Sequence, residues 1–192
     1  MGNFIYQKEA QIGGYPDSLS PEQMELALFQ MKNCICKIKI ENRFGTWFLC
    51  KIPFPDSLSL LPVLVICNHV LNDENISIGN KIGLSFNNEA VFYSILISNL
   101  RKTYIDKEKD ITIIEINPKN DKIKLVSFLD IDENIFKENL NNQYKNKSIY
   151  ILHYEKGKNA KYSIGTIKKY QKIKMRFLMY AQLEQALQEA QL

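Results

Sequence analysis

The sequence predicts an all-β fold built around a small barrel, and three observations carry that prediction. Apolar and polar residues alternate at a period of two over several short runs. Polar turn segments separate those runs, and strong helix-forming stretches stand only near the two ends. The chain has 192 residues, 45% of them hydrophobic and 24% charged. That is ordinary globular composition, and the length suffices for one domain or two small barrels.

Residues 1–19 read as an irregular arm punctuated by Gly13-Gly14 and Pro16-Asp17. Ser20-Pro21-Glu22-Gln23 is a helix start, with Ser20 as cap, Pro21 at the first helical position and Gln23 closing a capping box. Met24, Leu26, Ala27, Leu28 and Met31 follow at helical spacing, which predicts a helix that packs by this face. From Lys32 the period changes to two. Cys34, Cys36, Ile38 and Ile40 alternate with Lys37, Lys39 and Glu41, the pattern of a half-buried strand.

Asn42-Arg43 turns the chain, and Phe44 to Ile52 returns as a second strand. Pro53 to Ser57 is a loop by its turn chemistry. Pro62 to Cys67 is a continuous apolar run and predicts a buried strand. Asn72 to Asn80 is a polar turn. Lys81–Phe86 and Ala90–Ser98 form a predicted hairpin about Asn87-Asn88, and Ile111 to Ile116 is a strand stopped by Asn117-Pro118. Leu125 to Phe128 reads as a short strand and Asp132 to Leu140 as a helical turn. Ile149–Tyr154 and Tyr162–Tyr170 pair across Glu155 to Asn159. Leu183 to Leu192 is a good helix former.

Charge excludes little. The net charge is +4, and the densest basic stretch, Lys156 to Lys174, reads as a solvated strand face, so no nucleic-acid partner is expected. No apolar run approaches the roughly 20 residues of a membrane helix, so no membrane partner is expected. The start of the chain lacks a basic segment followed by an apolar one, which makes an intracellular, cytoplasmic location the expectation. Gly2 meets only part of an acylation motif, because Tyr6 stands where Ser or Thr is wanted. The four cysteines, Cys34, Cys36, Cys50 and Cys67, read as buried thiols. A metal site of these thiols with His69 has no Cys-x-x-Cys spacing behind it, and no metal or cofactor is expected.

One constellation carries chemistry. A buried strand delivers His69 at its exit, and Asp110 opens another apolar strand. A histidine can take a proton from a nucleophile while an aspartate fixes its tautomer. Gly45-Thr46-Trp47-Phe48, then Asn68-His69-Val70-Leu71, then Asp110-Ile111-Thr112-Ile113-Ile114-Glu115-Ile116 resemble, in order and spacing, the N-terminal half of a trypsin-like serine peptidase. The resemblance covers about residues 31–170. It implies a chymotrypsin-like pair of β-barrels, with His69 as general base and Asp110 as its orienting carboxylate. The chain then divides into an N-terminal arm and helix (1–33), a complete first barrel with His69 and Asp110 (34–118), a truncated second barrel (119–172) and a helical tail (173–192).

Two departures stand out. Trp47 occupies a position where the family usually has a small residue. More seriously, the family's Gly-x-Ser-Gly-Gly segment, which supplies nucleophile and oxyanion hole, has no counterpart. Ser163, the last serine, lies in a strand-like run, so no nucleophile is assigned. Cys67 is a poor substitute on an extended chain, because Cα atoms two residues apart stand roughly 6–7 Å from each other.

The genetic code offers a reason. Reading the third base of each codon with the next two, from Met179 on, allowed codons continue Val-Cys-Ser-Thr-Gly-Thr-Gly-Ser-Ser-Gly-Gly-Pro-Ile. The tail is therefore read as a frame-shifted stretch of a peptidase gene, with the shift near Tyr170 to Lys174; the alternative is a genuine amphipathic helix with Leu183 and Leu187 on one face. The expected function is that of an inactive relative of serine endopeptidases, whose partner is a protein or peptide. The alternative is a non-catalytic peptide-binding module on the same barrel.

Overall fold

A computed structural model describes residues 17–40, 43–56, 58–123, 127–131, 146–155 and 158–166. The N-terminal arm up to residue 16, part of the predicted strand at 125–128, the predicted turn at 132–140 and the whole helical tail at 173–192 lie outside the described residues.

The helix α1 (Pro21–Asn33) starts as its sequence dictates. The Ser20 hydroxyl accepts from the Gln23 N–H and the Gln23 side chain accepts from the Ser20 N–H, a complete capping box. Its packing differs from expectation: Met31 is buried, whereas Met24, Leu26, Leu28 and Phe29 are exposed. The helix makes contact through its last turn, where Met31 joins Cys34, Ile35 and Tyr154 in a small cluster.

Nine strands follow among the described residues: β1 (Ile35–Ile40), β2 (Arg43–Pro53), β3 (Leu60–Ile66), β4 (Lys81–Phe86), β5 (Val91–Leu96), β6 (Thr103–Asp106), β7 (Ile111–Glu115), β8 (Ser148–Tyr154) and β9 (Ala160–Thr166). The first seven form one curled antiparallel sheet in the order β5-β4-β1-β2-β3-β7-β6. The last two form a separate hairpin. The chain is thus mostly β, as its alternating runs require.

Register follows from the pleat. Trp47 and Leu49 of β2, Leu64 and Ile66 of β3 and Ile114 of β7 point into the main core with Ile38, Leu84, Phe86 and Ile95. Their neighbours Cys50, Ile52, Val63, Val65, Ile111 and Ile113 form a second core on the opposite face. Burial on both faces over residues 63–66 and 111–114 accounts for the continuous apolar runs of β3 and β7, since neither face of these stretches meets water. Trp47 is completely buried. The large indole that departs from the resembled pattern fills the core.

Lys37 also departs from simple alternation. It is buried in β1, ion-paired with Glu89 and set near the Tyr154 ring. The β4–β5 turn that supplies Glu89 runs through three left-handed residues, Asn87, Asn88 and Glu89. Asparagine tolerates that conformation best among residues with a side chain, so Asn87-Asn88 marks the hairpin in sequence. Asn88 then accepts from the Ala160 N–H at 2.8 Å, tying this turn to β9. The β8–β9 hairpin is anchored at one end, where Tyr154 is buried and its N–H donates to the Thr46 hydroxyl at 2.9 Å.

The chain turns between β5 and β6, where the Arg101 N–H donates to Ser98 O at 3.1 Å, and the Arg101 side chain holds that corner. Its guanidinium donates to Leu96 O at 2.9 Å, to Glu115 O at 2.6 Å and to both carboxylate oxygens of Asp121 at 2.6 and 3.1 Å. The planar fork satisfies four acceptors from three segments at once.

Candidate functional site

β3 ends at Ile66, and the chain then folds into a tight turn. The N–H groups of Val70 and Leu71 both donate to Cys67 O, at 3.1 and 3.3 Å. Two features press this turn onto the sheet. Gly45 of β2 lies beneath it, and a methyl group there would stand 3.0 Å from Val70 Cγ1 and 3.2 Å from Ile66 Cδ1. The glycine of the Gly-Thr-x-Phe run thus permits a close approach of strand and turn. The Asn68 amide donates to Thr112 Oγ1 at 3.0 Å, and the Thr112 hydroxyl donates to Leu71 O at 2.8 Å. Both polar side chains are buried and satisfied, so the turn is locked to the start of β7.

His69 sits on the crest of this turn, its side chain 65% exposed. Asp110 closes the β6–β7 turn in a left-handed conformation, φ +57°, which aspartate accepts more readily than most residues. Its carboxylate reaches across to His69 twice. Oδ1 accepts from the His69 backbone N–H at 2.8 Å, and the two oxygens stand 2.9 and 2.8 Å from ring Nδ1. With the carboxylate ionised, this geometry keeps a proton on Nδ1 and leaves Nε2 as the ring's basic atom. Both residues singled out in the sequence are therefore brought together by the ends of neighbouring strands, β3 and β7.

Cys67 joins them. Its thiol sulfur, a His69 ring nitrogen and an Asp110 carboxylate oxygen all lie within 4.8 Å of one another. The extended-chain separation assumed from sequence does not apply, because residues 67–71 are coiled into a turn. The other cysteines are buried. Burial pushes the Cys34 thiol up to about 11, with a further rise from Asp130, and pushes Cys36 well above the usual thiol range. Gly45, Asn68 and Thr112, which sequence reasoning did not assign to the site, hold the histidine's turn. All three stand inside the runs that carry the resemblance, but their contacts with one another depend on the fold.

The second histidine is elsewhere. His153 Nε2 lies 2.8 Å from Ser163 Oγ across the β8–β9 hairpin, with Ser163 exposed. Ser163 is thus paired with a different histidine from the one bonded to Asp110. Comparison with protein-family models, with curated proteins and with solved structures finds no match. No helix among the described residues is long and apolar enough to cross a membrane.

Proposed function

We propose that this chain is built on the plan of a trypsin-like serine endopeptidase and carries the base and its orienting carboxylate, but not the nucleophile. The observation that carries the reading is the double grip of Asp110 on His69, through the backbone N–H and through Nδ1. An aspartate that fixes both the main chain and the ring of a histidine at the mouth of two strands is the arrangement a general base needs. With Nδ1 turned to the carboxylate, Nε2 is the atom that would take a hydroxyl proton. No Gly-x-Ser-Gly-Gly segment stands in the sequence to offer that hydroxyl or an oxyanion hole.

The sheet supports a closed first barrel. Its two edge strands, β5 and β6, are consecutive in the chain. Pairing with the β4 side extends to Ile97, whose N–H donates to Asn80 O at 2.9 Å. Pairing with β7 resumes at Lys102, whose carbonyl accepts from the Glu115 N–H at 2.9 Å. These bonds on either side of the turn at residues 98–101 are the pairing that a closed first barrel would require, and they support that reading.

The test is a serine-directed fluorophosphonate probe, applied beside sequencing of the gene across the codons for Gly165 to Leu192. The chain as given is expected not to label. The protein read on in the shifted frame is expected to label, and His69→Ala to abolish that labelling. Strong His69-dependent labelling of the chain as given would overturn the inactive reading, and a shifted frame without a Gly-x-Ser-Gly-Gly segment would remove its proposed origin.

A second reading, a non-catalytic peptide-binding module, draws support from the β8–β9 hairpin, where Ile149, Ile151, Tyr162 and Ile164 are exposed. It requires that peptide binding survive His69→Ala and Asp110→Asn.

A further inference from the structure

Cys67, His69 and Asp110 together offer sulfur, nitrogen and oxygen ligands from one turn and one facing strand end. We propose that this trio is a site for a borderline-soft divalent cation of the zinc type, bound by the Cys67 thiolate, a His69 ring nitrogen and the Asp110 carboxylate, with a fourth position open to solvent. The inference rests on the placement of the three side chains and not on the peptidase reading.

Ligand chemistry comes first. Zinc accepts thiolate, imidazole and carboxylate together at about 2.0–2.3 Å, whereas calcium and magnesium take oxygen and leave thiolates alone. Ligand atoms around a tetrahedral zinc ion therefore stand roughly 3–4 Å apart. The three donors here lie within 4.8 Å of one another, so small side-chain movements close the set around an ion.

Rigidity comes second. The main chain that carries Cys67 and His69 is pinned by the turn hydrogen bonds to Cys67 O and by the Asn68–Thr112–Leu71 network. Asp110 Oδ1 is held by the His69 backbone N–H, so Oδ2 can exchange the ring proton for the ion without releasing the loop. A ligand set that keeps its backbone bonds on binding loses little order.

Access comes third. His69 is 65% exposed, and Cys67 is partly so, which gives the ion a path and leaves room for a bound water. Binding displaces the thiol proton to solvent, and a proton from Nδ1 as well where that nitrogen is the ligand, so affinity rises with pH. An ion seated here occupies the imidazole, and base function at His69 and metal binding exclude each other.

Cobalt(II) is the direct probe, because a thiolate ligand gives it a near-ultraviolet charge-transfer band. Titration of the full chain under a non-thiol reductant is expected to give a saturable band at one equivalent, reversed by zinc. Cys67→Ser is expected to abolish the band, while His69→Ala and Asp110→Ala weaken binding at least about tenfold. His69 is exposed, so its replacement leaves the core intact and separates ligation from folding. A band that persists in Cys67→Ser, or no saturable band up to about 1 mM cobalt, would overturn the proposal. So would unchanged affinity in His69→Ala, which would reduce the site to an isolated thiol.

Discussion

Replacing Asp121 by alanine tests whether the corner between β5 and β6 is held by charge. The Asp121 carboxylate takes both ends of the Arg101 fork and also the Asn117 N–H at 2.8 Å. The two side chains are 4% and 9% exposed, so water cannot replace what is lost. Removing one partner of a buried pair costs about 3–5 kcal/mol, because the other charge is stranded. Arg101 keeps its bonds to the Leu96 and Glu115 carbonyls, which places the expected cost near the lower figure, about 3 kcal/mol. With a urea slope of about 2 kcal/mol/M, the midpoint falls by about 1.5 M. Trp47 is the only tryptophan and is completely buried, so its emission follows the loss of the main core. The control is Asp73→Ala, which breaks the exposed Lys107–Asp73 pair and is expected to leave the midpoint unchanged. If Asp121→Ala moves the midpoint no further than Asp73→Ala does, the corner owes its stability to something other than this pair.

Two further outcomes follow from the same reasoning. Gly45→Ala forces a methyl to 3.0 Å from Val70; it is expected to cost about 1–3 kcal/mol and to disturb the His69 ring signals in a proton NMR spectrum, so a wild-type midpoint with unchanged ring signals would refute the close-approach account. The raised thiol of Cys34, at about 11 in the fold against an ordinary 9.0, means the unfolded chain releases its proton first as pH climbs. Stability from this group is full below pH 9 and is lost towards pH 11. Denaturation midpoints should therefore fall across that window, and Cys34→Ala should flatten the fall; an equally steep fall in the variant would place its cause elsewhere.

The sequence made the strands of the sheet largely legible, because period-two alternation and turn residues are local signals. Lys81–Phe86 appears as the strand predicted, and the Ser20 capping box forms as written. β6 was missed, since Thr103-Tyr104-Ile105-Asp106 is short, lies among charged residues and is specified by its partner β7 rather than by its own pattern. Lys37 looked solvent-facing because its partner Glu89 is far away in sequence, on a turn whose position only the fold reveals. The exposed apolar face of α1 is likewise beyond local periodicity, which says that a face exists and not whether a neighbour covers it. At the site, His69 and Asp110 were legible through their places at strand ends, whereas Cys67 entered only because the chain coils after β3.

The carboxylate of Asp110 has a consequence for how mutants of this protein are to be read. One group braces the polypeptide at residue 69 and steers the imidazole, so its removal changes architecture and chemistry in a single stroke. An Asp110 variant that loses a property therefore does not say which of the two was responsible. His69 is different, because its ring extends into solvent while its backbone N–H remains on Asp110 whatever side chain it bears. Substitution at His69 is the clean genetic scalpel, and a defect at Asp110 acquires meaning only by comparison with it.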